Sequence, residues 1–178
     1  ALQCLSIFVV GPVIEQNPVV RPVGGTIFGL MFIAGMALMA ERGWLRYLLI
    51  GTGVVILGVE FWRYADPSPQ IILVYSASLA LFLVVLSVTL AMILASRERV
   101  TTDVIMGAVA LYLNIGLIFA SFYAFIENIN PDAISNPDHL TGEPLHPLHF
   151  LYFSLVTLTT VGYGDTVPVS ALARSLAT

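Results

Sequence analysis

The chain is poor in charged residues. Only 10% of its 178 residues are charged, and none of the seven basic residues is lysine. A water-soluble domain of this size carries about 25% charged residues. Together with a hydrophobic content of 58%, this shortage indicates that lipid surrounds much of the chain, and it argues against an ordinary soluble domain.

The residue types that carry chemistry are also scarce. Cys4 is the one cysteine, so no disulfide can form within the chain. The arginines form no basic patch suited to nucleic acid, and we expect no nucleic-acid partner. Within the apolar segments no nucleophile lies beside a base, and there is no metal cluster or carboxylate pair. The sequence therefore predicts neither an enzyme nor a cofactor.

Long uncharged segments dominate instead. Residues 71–95 and 104–126 each exceed the roughly 20 residues that a helix needs to cross a bilayer. Residues 24–40 and 44–62 predict two more spans, since Arg46 and Glu60 lie near the ends of the second one, where long side chains reach the interface. Residues 1–14 are too short to cross, and we interpret them as the tail of a first span that is cut off. The predicted fold is an all-α membrane protein, a bundle of transmembrane helices.

The distribution of arginine predicts the orientation. A small excess falls in the connections that hold Arg42 with Arg46 and Arg97 with Arg99, which places these connections in the cytoplasm. The long polar segment 127–146 then faces outward. It contains four acidic residues and no basic one, namely Glu127, Asp132, Asp138 and Glu143.

A short apolar segment follows at residues 146–160. Pro147 suits a first helical position, because the N–H that proline lacks would be unpaired there. A helix from residue 147 to 159 is about 20 Å long and cannot cross a bilayer. Glycine-containing backbone at membrane depth is tolerated where protein buries it or where it lines a watery cavity. This pattern is typical of a re-entrant loop.

The glycine-containing segment is "TTVGYGDTVP", residues 159–168. Its core, from Thr160 to Asp165, resembles the selectivity filter of potassium channels, and Thr157 and Pro168 extend the match. The two glycines, Gly162 and Gly164, reach positive φ without steric cost and let the backbone turn its carbonyl groups to one side. Four such segments around an axis replace the hydration shell of a potassium ion.

The resemblance implies a role for each position of the motif. Potassium, the permeant ion, would be coordinated at Thr160, Val161, Gly162 and Tyr163, with Gly164 completing the filter. The Tyr163 ring would brace the filter against neighbouring helices. The resemblance also implies that Asp165 lies at the outer mouth, where four copies would attract cations.

The residues before the motif differ from those of well-known members of the family. Val156 stands where a glutamate often pairs with the aspartate at the mouth, and Tyr152 and Phe153 stand where tryptophans are common. Tyr152 could donate a hydrogen bond to Asp165 and so substitute for the missing partner. With Thr159, these positions are the predicted support of the filter and its outer mouth.

The resemblance also predicts the organisation of the protein. Residues 1–100 would hold four transmembrane helices, and residues 101–178 a pore domain made of an outer helix, an acidic extracellular loop, a pore helix, the filter and the start of an inner helix. The chain would be truncated before most of that inner helix. Residues 71–95 contain no arginine, so the four helices do not predict a standard voltage sensor.

One filter per chain predicts a homotetramer in a plasma membrane, of the bacterial type, with the filter mouth outside. The predicted function is passive, potassium-selective conduction. A poorly selective cation channel and a non-conducting, channel-like membrane scaffold are the alternatives.

Three histidines, His139, His146 and His149, lie in or next to the acidic segment. They fit a solvated loop, a sensor of external protons or, with Glu143, a zinc site. Two expectations concern packing. Asn114 would form a hydrogen bond across a helix interface, and glycines such as Gly58 and Gly116 would allow helices to approach closely.

Overall fold

The computed structural model describes residues 43–65, 68–97, 99–135 and 147–178. Within these ranges the chain forms helices and one short pair of strands. In chain order they are α1 (Gly43–Ala65), α2 (Pro69–Ala95), α3 (Thr102–Ile129), β1 (Ile134–Ser135), α4 (Pro147–Leu158), β2 (Val167–Pro168) and α5 (Ala171–Ala177). The predicted spans at residues 1–14 and 24–40 lie outside the described residues.

The two longest helices coincide with the longest uncharged segments. α2 and α3 contain the predicted spans 71–95 and 104–126, and both are long and apolar enough to cross a membrane. Pro69 follows Ser68 at the start of α2, where proline costs no hydrogen bond. α3 starts after Thr101 with Asp103 in its first turn, where the carboxylate faces the positive end of the helix dipole. The chain thus forms the predicted helical membrane bundle.

Exposed aromatic side chains mark both ends of α1. Trp44 and Tyr47 are 58% and 76% exposed near its start, and Phe61 and Trp62 are 79% and 63% exposed near its end. Aromatic residues concentrate at the two interfaces of a bilayer. At 1.5 Å per residue, Trp44 and Trp62 are about 27 Å apart, close to the thickness of the hydrocarbon layer. Among the described residues, length and hydropathy mark only α2 and α3 as candidate spans, so the crossing of α1 stays a prediction.

α3 lies between the other helices of the bundle. α2 packs against α1 and α3, and α3 also packs against α4. One buried cluster joins α1 to α2 and consists of Leu49, Ile56, Phe82, Leu83 and Leu86. A second joins α3, β1, α4 and α5 and consists of Ala120, Tyr123, Ile134, Phe150, Leu151, Phe153 and Ala173. α3 therefore connects the N-terminal helices to the C-terminal part of the chain.

α4 and the segment after it form a loop that runs along α3 and back. The Tyr112 hydroxyl donates to the carbonyl of Leu158 over 3.4 Å, which places the end of α4 beside the middle of α3. The chain then returns to the far end of α3, because β2 pairs antiparallel with β1 in the register Ile134 to Pro168 and Ser135 to Val167. The sequence did not predict this small strand pair.

The packing expectations have different outcomes. The Asn114 amide donates to the Leu83 carbonyl (3.1 Å) and to Ser87 Oγ (2.7 Å) on α2, so its predicted role across a helix interface is confirmed. A Cβ on Gly116 would lie 2.9 Å from Leu155 Cδ2, which confirms close approach of α3 and α4. A Cβ on Gly58 would meet nothing within 4 Å among the described residues, so close helix packing at this position stays a prediction.

The buried cluster around Tyr123 gives a stability prediction. Tyr123 is 1% exposed, and its ring lies 4.8 Å from that of Phe153 on α4. We expect Tyr123→Ala to lower the free energy of unfolding by about 3 kcal/mol, because it leaves a cavity between α3 and α4. Unfolding in a detergent titration, followed by circular dichroism, measures this loss.

The adjacent Phe122 provides a matched control for that measurement. It is 38% exposed on the other side of the same helix, so Phe122→Ala should cost clearly less than Tyr123→Ala. Equal losses for the two variants would contradict the packing described for α3 and α4.

Candidate functional site

The site begins at the C-terminal end of α4, which closes in a defined helix cap. The Val161 N–H donates to the carbonyl of Val156 over 3.1 Å, and the Thr160 N–H donates to that of Thr157 over 3.0 Å. These two bonds, with Thr160 in the left-handed region, form a Schellman motif. They satisfy carbonyl groups that would otherwise be unpaired at the end of a helix.

Thr160 occupies the position of this motif that is usually glycine. Its φ is 58°, a left-handed conformation that costs a residue with a side chain about 1 to 2 kcal/mol. Such strain persists where the surrounding structure enforces it, and it is concentrated at functional sites. The sequence indicated Thr160 as a site residue but did not predict its positive φ.

Gly162 and Gly164 repeat this conformation at the next alternate positions. Their φ angles are 57° and 75°, while Val161 and Tyr163, between them, are not among the residues with positive φ. The sign of φ thus changes from each residue to the next between Thr160 and Gly164. Among the described residues a Cβ added to either glycine would meet nothing within 4 Å, so conformation, and not lack of space, favours glycine at both positions.

The side chains of this segment are open on the surface of the single chain. Val161 is 51% exposed and Tyr163 is 70% exposed. The Tyr163 ring stacks on that of Tyr152, with centroids 6.5 Å apart and planes 3° apart. α4 therefore supports one face of Tyr163, and most of the remaining surface of this side chain is uncovered.

Tyr152 and Asp165 form the hydrogen bond suggested by the sequence. The Tyr152 hydroxyl donates to Asp165 Oδ2 over 2.7 Å, and the Thr166 N–H donates to Asp165 Oδ1 over 2.8 Å. The bond from Tyr152 is the main reason that the pKa of Asp165 is lowered. The same bond raises the pKa of Tyr152 to about 12. Asp165 is consequently a carboxylate, and Tyr152 a neutral donor, at neutral pH.

The remaining predicted support residues act at the end of α4. The Thr159 hydroxyl donates back to the Leu155 carbonyl over 2.7 Å. Val156, which lacks the carboxylate common at this position, contributes its backbone carbonyl, which accepts from Val161 and, at 3.4 Å, from Gly162. Both residues therefore contact the inner end of the motif and not the side chain of Asp165.

A network that the sequence did not reveal holds the other end of the motif. The Ala133 carbonyl accepts from the N–H groups of Val169 and Ser170 at 2.8 and 3.1 Å. The Glu127 carboxylate, at the end of α3, accepts from the N–H groups of Asp132 and Ile134, both at 3.0 Å. With the β1–β2 pair, these bonds attach the exit of the motif to the end of α3.

Comparison with known proteins finds similarity to this region. Residues 108–178 match the family model described as "Ion channel". This segment is therefore similar to ion channels. The similarity agrees with the predictions that the chain is not an enzyme and takes no cofactor.

Two curated relatives are named as potassium channels. "Two pore potassium channel b" of Oryza sativa subsp. japonica is 54% identical over 41 residues, which are 22% of this chain and 12% of the relative. "Potassium channel K2" of Plasmodium berghei (strain Anka) is 38% identical over 82 residues, 46% of this chain and 5% of the relative. The chain thus spans a small part of each relative. No solved structure matches the chain.

The alternatives for the three histidines stay open. His139, His146 and Glu143 lie outside the described residues, and His149 lies in the first turn of α4. Among the described residues there is no group of three or more His, Cys, Asp or Glu side chains that could hold a metal ion. Proton sensing and zinc binding in this loop stay predictions.

The contact between Tyr152 and Asp165 predicts a pH effect. The hydrogen bond lowers the pKa of Asp165, so its stabilising effect is fully present at a pH above the ordinary pKa of 3.8. The effect is lost as the pH falls through the lowered pKa. Tyr152→Phe removes the donor, so the pKa of Asp165 should rise towards its ordinary value. Infrared titration of the carboxyl band, with isotope-labelled aspartate, measures the shift.

Tyr112→Phe is the control for this titration. Tyr112 also uses its hydroxyl for a hydrogen bond, but the acceptor is the Leu158 carbonyl, so the aspartate titration should match that of the wild type. If Tyr152→Phe leaves the titration of Asp165 unchanged, this hydrogen bond does not control the ionisation of the carboxyl group.

Proposed function

We propose that the chain contributes to a potassium-selective channel, and that residues 160–164 form its filter. The observation that carries the proposal is the alternating sign of φ along the segment, which is positive at Thr160, Gly162 and Gly164. In an extended strand, successive carbonyl groups point to opposite sides. Reversing the sign of φ at every second residue turns them to one side, which is the arrangement that an ion-coordinating row requires.

Potassium would lose its hydration water to rings of these carbonyl oxygens. The ring positions are Thr160, Val161, Gly162 and Tyr163, with the Thr160 hydroxyl as the innermost ligand. Conduction through such a filter is passive, because an ion moves from ring to ring down its electrochemical gradient without a chemical step.

A filter of this kind needs several copies around an axis, and we propose a homotetramer. The open surface of the single chain supports this. Tyr163 is 70% exposed, and no described residue lies within 4 Å of a Cβ placed on Gly162 or Gly164. Closed cyclic symmetry is the common solution for identical subunits. Neighbouring copies would supply the second wall against which each Tyr163 ring packs.

The charge distribution supports cation conduction. Asp165 lies directly after the filter and has a lowered pKa, so four carboxylates at the mouth would attract cations. At the opposite end, α4 ends without a basic side chain in its last turn. The negative end of its dipole would favour a cation on the inner side of the filter.

The orientation and the division of the chain belong to the same proposal. The acidic mouth would face outside a plasma membrane, as the arginine distribution predicts. Residues 101–178 would form the pore domain, and residues 1–100 a separate set of helices. α2 contains no charged residue, which supports the prediction that these helices are not a voltage sensor.

The decisive test is to remove the backbone freedom of the filter. We expect Gly162→Ala to abolish potassium flux in liposomes that contain the full-length protein with this chain. A Cβ at Gly162 meets nothing within 4 Å, yet its φ of 57° strains any side chain. The loss would therefore report conformation and not a steric clash.

Gly58→Ala is the matched control. A Cβ at Gly58 also meets nothing within 4 Å, but this residue lies in the regular helix α1, where alanine is more favourable than glycine by about 1 kcal/mol. Its flux should equal that of the wild type. Reversal potentials in mixed potassium and sodium would show whether the wild type is selective. Equal permeation of the two ions would favour a poorly selective channel, and no flux at all would favour a scaffold.

A further inference from the structure

The middle of α3 forms hydrogen bonds with helices on both of its sides. Within residues 112–116, Asn114 donates to α2, and the Gly116 carbonyl accepts from Ser154 Oγ on α4 over 2.6 Å. We infer that Asn114 and Gly116 form a relay through which the position of α2 sets the position of α4. The N-terminal helices would then act on the filter through this relay. The inference rests on the proposed function of the filter.

The contact with α2 fixes the register of the two helices. Asn114 is 4% exposed, and its amide reaches one carbonyl and one hydroxyl of α2, those of Leu83 and Ser87. In an apolar interior no water replaces a broken hydrogen bond. A slide of α2 by one helical turn, about 5.4 Å, would break both bonds. Asn114 therefore reports the position of α2 along α3.

The contact with α4 passes that position on. Ser154 is 2% exposed, and Leu155 approaches so closely that a Cβ on Gly116 would lie 2.9 Å from it. Because the backbone of α3 touches α4 here, a displacement of α3 at this level must move α4. The last turn of α4 carries the cap that holds Thr160 in its strained conformation. A moved α4 would change the innermost position of the filter.

The relay contains an acceptor atom that a different position of α2 would satisfy. Among the described residues, Asn114 Oδ1 is buried and accepts no hydrogen bond. A buried acceptor without a donor is unfavourable, so an α2 position that brings a donor to Oδ1 gains stability at this point. The contact can therefore favour more than one position of α2, as a coupling element between two states requires.

A double-mutant cycle across the relay tests the inference. Ser87→Ala removes a contact on α2 and Ser154→Ala removes one on α4, and the two serines share no hydrogen-bond partner. The measurements are the open probability and the permeability ratio of potassium to sodium, for the full-length protein in liposomes, with assembly checked by size-exclusion chromatography. Each variant should change the open probability. The free-energy effects of independent sites add, so their fold-changes in open probability multiply. We expect the fold-change of the double variant to differ from the product of the two single fold-changes by at least about threefold.

Two buried serines that bond only within their own helix provide controls. Ser76 on α2 and Ser121 on α3 are both 7% exposed, but each donates to a carbonyl of its own helix, Ile72 at 3.0 Å and Leu117 at 2.9 Å. Ser76→Ala and Ser121→Ala should leave the open probability and the permeability ratio unchanged. Ser87→Thr keeps a hydroxyl and should restore the wild-type behaviour.

The possible outcomes separate the relay from the proposed function. A wild type that conducts no potassium overturns both. If the wild type conducts and the fold-changes at Ser87 and Ser154 multiply independently, the relay alone is overturned. The relay is also overturned if Ser76→Ala changes the open probability as much as Ser87→Ala does. If Ser154→Ala does not assemble, Gly116→Ala replaces it in the cycle, since its Cβ would displace Leu155, and the same expectations apply.

Discussion

The last carbonyl groups of a helix have no partner within the helix and must find one elsewhere. The end of α4 meets this requirement with groups that follow it in the chain and with one from α3. The N–H groups of Thr160 and Val161 close the cap, and the Tyr112 hydroxyl reaches the Leu158 carbonyl. The rest of the site depends on this closure, since it turns Thr160 into the left-handed region and sets the direction of the motif.

α3 holds the motif at both of its ends. At the inner end it contacts α4 through Tyr112 and Gly116. At the outer end its last turn supplies Glu127, which orders the turn that leads into β1, and β1 pairs with β2. A segment fixed at two points on one helix can keep a strained backbone without dense packing of its own. This explains how Thr160, Gly162 and Gly164 hold positive φ in open surroundings.

The sequence predicted those features that depend on composition and on local pattern. The uncharged segments gave α2 and α3 within a few residues, and Pro147 marked the start of α4. The hydrogen bond between Tyr152 and Asp165 could be anticipated because both residue types and their positions relative to the motif were visible. The position of Asn114 in the middle of a span was enough to predict a contact across a helix interface.

The features that the sequence did not reveal depend on tertiary distances. The β1–β2 pair joins residues separated by the loop and by α4, and two-residue strands have no sequence period to detect. The positive φ of Thr160 follows from the helix cap and not from the residue type, which disfavours it. Gly116 lies at a close helix contact, whereas Gly58 meets no neighbour among the described residues, because glycine content alone does not say which face of a helix is covered.

Contacts within a single chain can set the backbone conformation of the motif before other copies surround it. Tyr163 stacks on the ring of Tyr152 on α4 and is otherwise largely exposed in the single chain, so contacts of Tyr163 with other described residues do not set the backbone. The geometry comes from the cap of α4, the bond of Tyr152 to Asp165 and the attachment of β2 to β1. All three lie within one chain. Assembly would then join segments that are already ordered, which lowers the entropy lost when copies meet.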